Sequence, residues 1–250
     1  MLFRHDKMIF NLVARGLIIM LVAMTASVII VSWTSSDLPP DLYLRSIRAA
    51  LFIPMLISPP ISLWVGFPNY RYFELHCKVE WLAAHDEMTG LLNLRAFRSA
   101  ATKMLDQYRD ARLAQPVILL LADIDHFKHV NDRLGHDAGD EAIKHIANIL
   151  TRLGPQGAAV ARLGGDEFAI LTNWTGLADA RVLAASICSA IEQSTCVYQG
   201  HSIPLTVSLG VAIGSRVEHL NAILRRADEQ LYNSKREGRN LFSISPSAAA

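Results

Sequence analysis

The sequence predicts an α/β chain of the α+β kind: a mixed sheet covered by helices, preceded by two helices that cross a membrane. Two observations lead there. Residues 16–36 and 49–67 contain no charged side chain, and about 20 apolar residues are needed to cross a bilayer as a helix. Beyond Phe67, strand and helix patterns alternate, but two hairpins interrupt the alternation, which argues against a purely parallel doubly wound sheet. The composition agrees. Of 250 residues, 51% are hydrophobic and 19% charged, which excludes intrinsic disorder. The net charge of +1 excludes a strongly basic binder of nucleic-acid polymers. Cys77, Cys188 and Cys196 show neither a disulfide framework nor metal-ligand spacing.

The first apolar run spans a bilayer cleanly. The second contains Pro54, Pro59 and Pro60, which remove backbone donors but are tolerated in membrane helices. Arg4, Lys7 and Arg15 precede the first span, and Arg71 and Lys78 follow the second. The outer loop 37–48 balances Arg45 and Arg48 with Asp37 and Asp41. The positive-inside rule then places both ends in the cytoplasm. The competing reading of the first run is a signal peptide, with Arg4 and Lys7 as its charged region. The expected organisation is a cytoplasmic segment 1–15, two transmembrane helices within 16–67, a linker helix 68–85, a soluble domain 86–245 and a tail 246–250. In the linker, Tyr72, Leu75, Val79 and Leu82 are spaced 3, 4, 3. That is the seam of a coiled coil, or the apolar face of a single amphipathic helix.

In the soluble part, Asn93–Arg112 reads as a helix with Phe97, Ala101, Met104, Leu105 and Tyr108 on one side. The run Val117–Ala122 is a buried strand ending at Asp123-Ile124-Asp125. A helix over Gly139–Leu153 follows. Ala158–Arg162 and Phe168–Thr172 flank a glycine-rich turn as a hairpin. Leu177–Glu192 is a helix, Thr195–Gln199 and Ile203–Ile213 form a second hairpin around Gly200, and Leu220–Glu237 is a helix capped by Gly238. Leu241–Ile244 is a last short strand.

Two acidic clusters stand out: Asp123 and Asp125 at a strand end, Asp166 and Glu167 on a hairpin turn beside Gly164 and Gly165. Carboxylates at the edge of a core need compensation. A hard divalent cation held by one or two carboxylates and by phosphates supplies it. A helix N-cap and an ordinary tight turn are the alternatives.

The strings themselves carry more. Arg162-Leu163-Gly164-Gly165-Asp166-Glu167-Phe168 resembles the signature of the GGDEF family, the bacterial diguanylate cyclases. Four further blocks match in order: Asp86-Glu87-Met88-Thr89-Gly90-Leu91-Leu92-Asn93-Leu94-Arg95-Ala96-Phe97, Asp123-Ile124-Asp125-His126-Phe127-Lys128-His129-Val130-Asn131-Asp132, Gly135-His136-Asp137-Ala138-Gly139-Asp140, and Ala227-Asp228-Glu229-Gln230-Leu231-Tyr232 followed by Lys235 and Gly238-Arg239-Asn240. The resemblance covers about 86–245. It implies a cyclase-type palm, a central mixed five-stranded sheet wrapped by helices.

It also implies a site and a reaction. Asp123, Asp166 and the Ile124 carbonyl would ligate Mg²⁺, two ions per site, with Mn²⁺ as a substitute. Glu167 would support the second ion or help activate the attacking hydroxyl. Asn131 and Asp140 would read guanine, whose N1–H and N2–H donors an amide oxygen and a carboxylate accept. Adenine lacks both donors on that edge, so admitting it strands buried acceptors. Lys128, Lys235 and Arg239 would meet the triphosphate, with backbone amides of His126, Phe127 and Lys128. Two GTP would become cyclic di-GMP and two pyrophosphates, each 3′-hydroxyl attacking the other's α-phosphorus. One domain holds one GTP, so the resemblance implies a homodimer. It also implies the inner membrane of a bacterium, with the catalytic domain cytoplasmic and the spans among lipid. A catalytically inactive nucleotide-binding receptor or scaffold of the same fold is the competing function, and such forms usually lose the signature acids that remain here.

There are two departures from the family pattern. Leu94 stands where the opening block has its first arginine. Members with product inhibition carry R-x-x-D upstream of the signature, and this chain has Pro155-Gln156-Gly157-Ala158.

Overall fold

A computed structural model describes residues 2–110, 116–173, 177–214 and 218–245. The expected tail 246–250 and the last residues of the helix expected to end at Arg112 lie outside them. The chain divides into two units, Met1–Val79 and Glu80–Ala250.

The first unit holds α1 (Leu2–Thr34) and most of α2 (Pro40–Ala84). Val13–Thr34 and Pro40–Ser62 are long and apolar enough to cross a membrane. Their large apolar side chains face outward, among them Ile18, Ile29, Phe52 and Leu56. Gly16 faces Ser62 across the pair, where a Cβ would make ordinary contact at 3.4 Å. Hydroxyls inside the first span are satisfied locally: Thr25 donates to Leu21 O at 3.0 Å and Thr34 to Ile30 O at 2.8 Å. The connection is shorter than the expected loop 37–48. Helix resumes at Pro40 because a first-turn proline gives up only an N–H that has no intrahelical partner anyway. The linker 68–85 is not a separate helix either; α2 continues through it to Ala84. Tyr72, Leu75 and Val79 are exposed along it, and Leu82 is half-buried.

The second unit is a three-layer α/β/α sandwich. Its elements are α3 (Leu94–Asp110), β1 (Val117–Ile124), α4 (Phe127–Leu134), α5 (His136–Leu153), β2 (Ala159–Gly164), β3 (Glu167–Asn173), α6 (Leu177–Gln193), β4 (Cys196–Tyr198), β5 (His201–Ile203), β6 (Val207–Gly214), α7 (Leu220–Arg236) and β7 (Phe242–Ser245). Five strands form one sheet in the order β2-β3-β1-β6-β7. All pairs are antiparallel except β6 with β7, so the sheet is mixed.

The two-residue period of a strand sorts the core. Ile118, Leu120, Ala122 and Ile124 of β1 pack with Ile146, Leu150, Leu183 and Ile187 of α5 and α6. Val117, Leu119 and Leu121 pack with Phe97, Leu105, Ile223 and Leu231 of α3 and α7. Being odd-numbered, Asp123 falls on the α3/α7 side. Helix α7 lies close over β6 because position 210 is glycine; a Cβ there would collide with the backbone of Ala227 and Leu231.

Three local expectations change. The strand expected over Ile203–Ile213 is two strands, β5 and β6, because Pro204 has no N–H to continue a ladder. β5 pairs with β4 in a separate two-stranded sheet. Helix α5 begins at His136, a turn before the expected Gly139, and α4, absent from the sequence reading, precedes it.

Candidate active site

The site forms where β1 and β3 end together. Their antiparallel register sets Asp123 opposite Glu167, and Ile124 N–H donates to Asp166 O at 3.4 Å. The fold thus brings Asp123, Ile124, Asp166 and Glu167 to one edge of the sheet, although the two acidic pairs are about forty residues apart in sequence. The turn between β2 and β3 passes through Gly165 with φ 52°, a left-handed conformation natural to glycine.

Asp123 is 8% exposed, and Lys235 of α7 donates to its Oδ2 at 2.7 Å. Burial nevertheless pushes the Asp123 carboxyl above its ordinary range, helped by the charges of Asp166 and Asp125 and opposed by Lys235. Burial also raises Glu167, together with the charges of Asp123 and Asp166. The edge therefore carries more negative charge than its single ammonium offsets, the donor set of a hard cation. Among the described residues no three His, Cys, Asp or Glu converge closely enough to enclose a metal by themselves. An open half-site completed by phosphate oxygens is what Mg²⁺ takes at nucleotide sites.

The guanine-reading candidates lie on α4 and α5. Asn131 Oδ1 is buried without a hydrogen-bond partner, an uncommon state for a buried acceptor. Gly139 makes the room for it: a Cβ at 139 would overlap Asn131 Oδ1 and stand 3.1 Å from Phe127 Cζ. Asp140 follows on the same helix, half-buried. His126 opens α4 in a left-handed conformation, φ 56°, with no side-chain cap, so the amides beyond it begin a helix whose first turn no side chain closes. Lys128 and Arg239 are exposed. Arg239 is carried by the turn after α7, with φ 66°.

Sequence reasoning singled out neither Gly139 nor the role of Arg162. The Arg162 guanidinium donates to Gly165 O at 2.8 and 2.9 Å and to Asp86 at 3.2 Å. Asp86 also accepts from the Thr89 hydroxyl and amide at 2.7 and 3.0 Å. Burial raises the Asp86 carboxyl, but the Thr89 and Arg162 hydrogen bonds outweigh it and hold the group below the usual range. The opening block is thus a brace for the signature turn, and the signal lay in the two quoted strings. Leu94 lines a groove of about 780 Å³ with Arg95, Arg98, Arg162, Gly164 and Gly165, next to the acidic edge and distinct from it. His136, exposed at the start of α5, takes no part in the acidic edge.

Residues 83–241 match the family model described as diguanylate cyclase, GGDEF domain. Diguanylate cyclase DgcM of Escherichia coli K12 is 38% identical over 65% of this chain and 38% of its own length. NbdA of Pseudomonas aeruginosa, a cyclic di-GMP phosphodiesterase, is 31% identical over 66% of this chain and 21% of its own. This chain therefore spans well under half of each of these relatives. Among solved structures, the coiled coil and GGDEF domain of DgcB from Caulobacter crescentus, in complex with c-di-GMP, superposes with a TM-score of 0.68 at 26% identity, covering 75% of this chain and all of that one. With the family model spanning well over half the chain, and the signature on the turn that faces Asp123, the protein belongs to the GGDEF diguanylate cyclase family.

Proposed function

We propose that the chain is an active diguanylate cyclase that condenses two GTP into cyclic di-GMP and two pyrophosphates, working as a homodimer held in a bacterial inner membrane by α1 and α2. The observation that carries the reading is the acidic edge: Asp123, Asp166 and Glu167 together, two of them with raised pKa, and a single Lys235 against them. A scaffold that bound no nucleotide would have no use for that unbalanced charge; a receptor that bound GTP with its metal would, and turnover separates the two readings.

Asp123, Asp166 and the Ile124 carbonyl would hold Mg²⁺, with Glu167 beside them. When bound, the ions would supply charge neutralisation at the attacking and leaving oxygens. Asn131 Oδ1 and the Asp140 carboxylate accept the guanine N–H donors, and the exclusion of adenine follows from leaving them unpaired. Lys128 and Arg239 bring positive charge to the triphosphate, and Lys235 shares its ammonium between substrate and Asp123. Glu167, raised by burial and by its neighbours, is suited to take the proton of the 3′-hydroxyl as its oxygen bonds to the partner nucleotide's α-phosphorus and pyrophosphate leaves. The two domains must face each other for this, and the exposed Tyr72, Leu75 and Val79 supply a surface for pairing.

The test is incubation of the full chain with GTP and Mg²⁺, with nucleotides separated and cyclic di-GMP quantified across enzyme concentrations. Cyclic di-GMP formed at a rate rising more than linearly with enzyme supports the reading. GTP bound without turnover would favour the scaffold, and full activity from a chain shown to be monomeric on the same samples would remove the dimer.

A further inference from the structure

Asp125 stands two residues beyond Asp123 and is 6% exposed, yet it does not share in the acidic edge. Its Oδ1 accepts from the Ser208 hydroxyl at 2.7 Å, and its Oδ2 from the Thr206 hydroxyl at 2.8 Å and the Asn240 backbone N–H at 2.9 Å. Its own N–H donates to Thr206 O at 2.9 Å. An ionised carboxylate has about four acceptor positions, so three neutral donors nearly saturate it. Among the described residues no Lys or Arg pairs with it. A buried carboxylate held by neutral donors is a costly way to fill a core position. It therefore marks a need that an apolar residue does not meet.

That need is visible in the third donor. Asn240 lies 115 residues further along the chain, where the backbone leaves α7. Arg239 and Asn240 are both left-handed, with φ 66° and 49°; asparagine tolerates this conformation, but for arginine it is unfavourable unless something holds it. The holding contacts are Arg239 N–H to Ser234 O at 3.1 Å, Asn240 Nδ2 to Glu192 at 2.8 Å, and Asn240 N–H to Asp125. Of these three only the last reaches the end of β1; one residue further on, the Leu209 N–H donates to Leu241 O at 2.9 Å and ties the chain to β6. Asp123 accepts from Lys235 in the last turn of α7, the helix that leads into this corner, so both acids of one strand end contact the segment that carries Arg239.

We propose that Asp125 is a positioning residue for the triphosphate: by accepting the Asn240 N–H it fixes the left-handed Arg239–Asn240 pair and so aims the Arg239 side chain. The proposal rests on the reading of Arg239 as a triphosphate contact. It also explains why an acceptor oxygen is needed at 125. The Thr206 and Ser208 hydroxyls can rotate to donate or accept, whereas a backbone N–H can only donate. Asparagine at 125 could keep its oxygen toward Asn240 and turn its NH₂ to Ser208; alanine could not hold the N–H at all.

The experiment is steady-state GTP kinetics on the full chain in detergent, with thermal unfolding alongside, for Asp125→Ala, Asp125→Asn, Arg239→Ala and the Asp125→Ala/Arg239→Ala double variant. Asp125→Ala should raise KM for GTP about tenfold, the scale of one lost hydrogen-bonding partner, with a smaller change in kcat. Asp125→Asn should restore most of that. In the Arg239→Ala background, Asp125→Ala should add less than about twofold, because coupled residues are non-additive. If Asp125→Ala does not fold, Asp125→Ser takes its place in the same cycle. Effects that multiply in the double variant, a loss confined to kcat, or no relief by asparagine would overturn the proposal. Arg239→Ala with unchanged KM would instead overturn the assignment of Arg239, and that is read from a protein in which Asp125 is untouched.

Discussion

Gly139→Ala should damage GTP recognition without unfolding the domain. Position 139 has ordinary helical backbone, so alanine is conformationally acceptable and gains about 0.5–1 kcal/mol of helix propensity. The new methyl would overlap Asn131 Oδ1 and stand 3.0 Å from Asn131 Cγ and 3.1 Å from Phe127 Cζ. The nearest of these atoms is the end of a side chain that can turn away, at about 0.5–1.5 kcal/mol for an off-rotamer torsion. Gain and cost nearly cancel, so stability should stay within about 1 kcal/mol of the unaltered protein. The buried oxygen, however, leaves its place, and a guanine donor loses its acceptor. An unpaired group costs about 1–3 kcal/mol, which is about 5- to 150-fold in kcat/KM. The assay is kcat/KM for GTP and for ATP, with the unfolding midpoint measured on the same samples. Gly139→Ala should resemble Asn131→Ala and add little to it, since both act on one contact. Unchanged kcat/KM and an intact preference for GTP would refute the reasoning. A large fall in unfolding midpoint with a matching loss of activity would replace displacement by overpacking.

Other expectations concern the acidic edge and the turn before β2. Asp166→Ala should abolish cyclic di-GMP formation while the unfolding midpoint holds, and a variant with full turnover would dismiss the acidic edge as the reacting centre. Because the folded pKa values of Asp123 and Glu167 are raised, the metal-free native state binds more protons than the unfolded chain between the ordinary and the raised values. Its stability should fall as pH rises through that window. With a non-hydrolysable GTP analogue present, adding Mg²⁺ at neutral pH should stabilise the domain by about 2.7 kcal/mol at a hundred times Kd, and Asp123→Asn should remove most of that response; an undiminished response would place the ion elsewhere. The turn Pro155–Ala158 closes on itself through Ala158 N–H to Pro155 O at 2.9 Å and presents neither an arginine fork nor an acid for a bound guanine. Micromolar cyclic di-GMP should leave turnover unchanged, and tight inhibition that GTP does not relieve would reveal a product site elsewhere.

What could be read from the sequence divides along physical lines. The strand Val117–Ala122, the helices and the signature hairpin were legible because each has its own periodicity or turn glycines. Two apolar runs gave the long helices for the same reason. The break at Pro204 was misread, since β5 and β6 are both β-like and only their partners differ; partner choice is non-local. Helix α4 was missed because it is only eight residues long and none of them is fully buried; its apolar stripe is just Phe127, Val130 and Leu134, which are half-buried against the core. The acids, Asn131 and Gly139 all stand in the motif strings, but what Gly139 and Asp125 do is set by a neighbour, in one case through an absent side chain and in the other through a backbone amide 115 positions away.

The carboxylates at and around the β1 end separate by how completely protein groups satisfy them. Asp86 is saturated by Arg162 and Thr89 and sits below its ordinary pKa. Asp125 is saturated by two hydroxyls and an amide, and its charge reaches the Cys188 thiol, which burial first and Asp125 second push up to about 12. Those two acids have spent their acceptor capacity on the fold. Asp123 has one ammonium against burial and two neighbouring negative charges, and Glu167 has burial and the negative charges of Asp123, Asp166 and Asp228 against the same Lys235. Their unmet demand is for positive charge, and Lys235, the cation paired there among the described residues, sits on a helix pressed against the sheet by Gly210 and cannot serve every oxygen. A ligand that brings both metal charge and phosphate oxygens meets that demand; a structural ion pair alone would have been completed within the chain, as it was at Asp86.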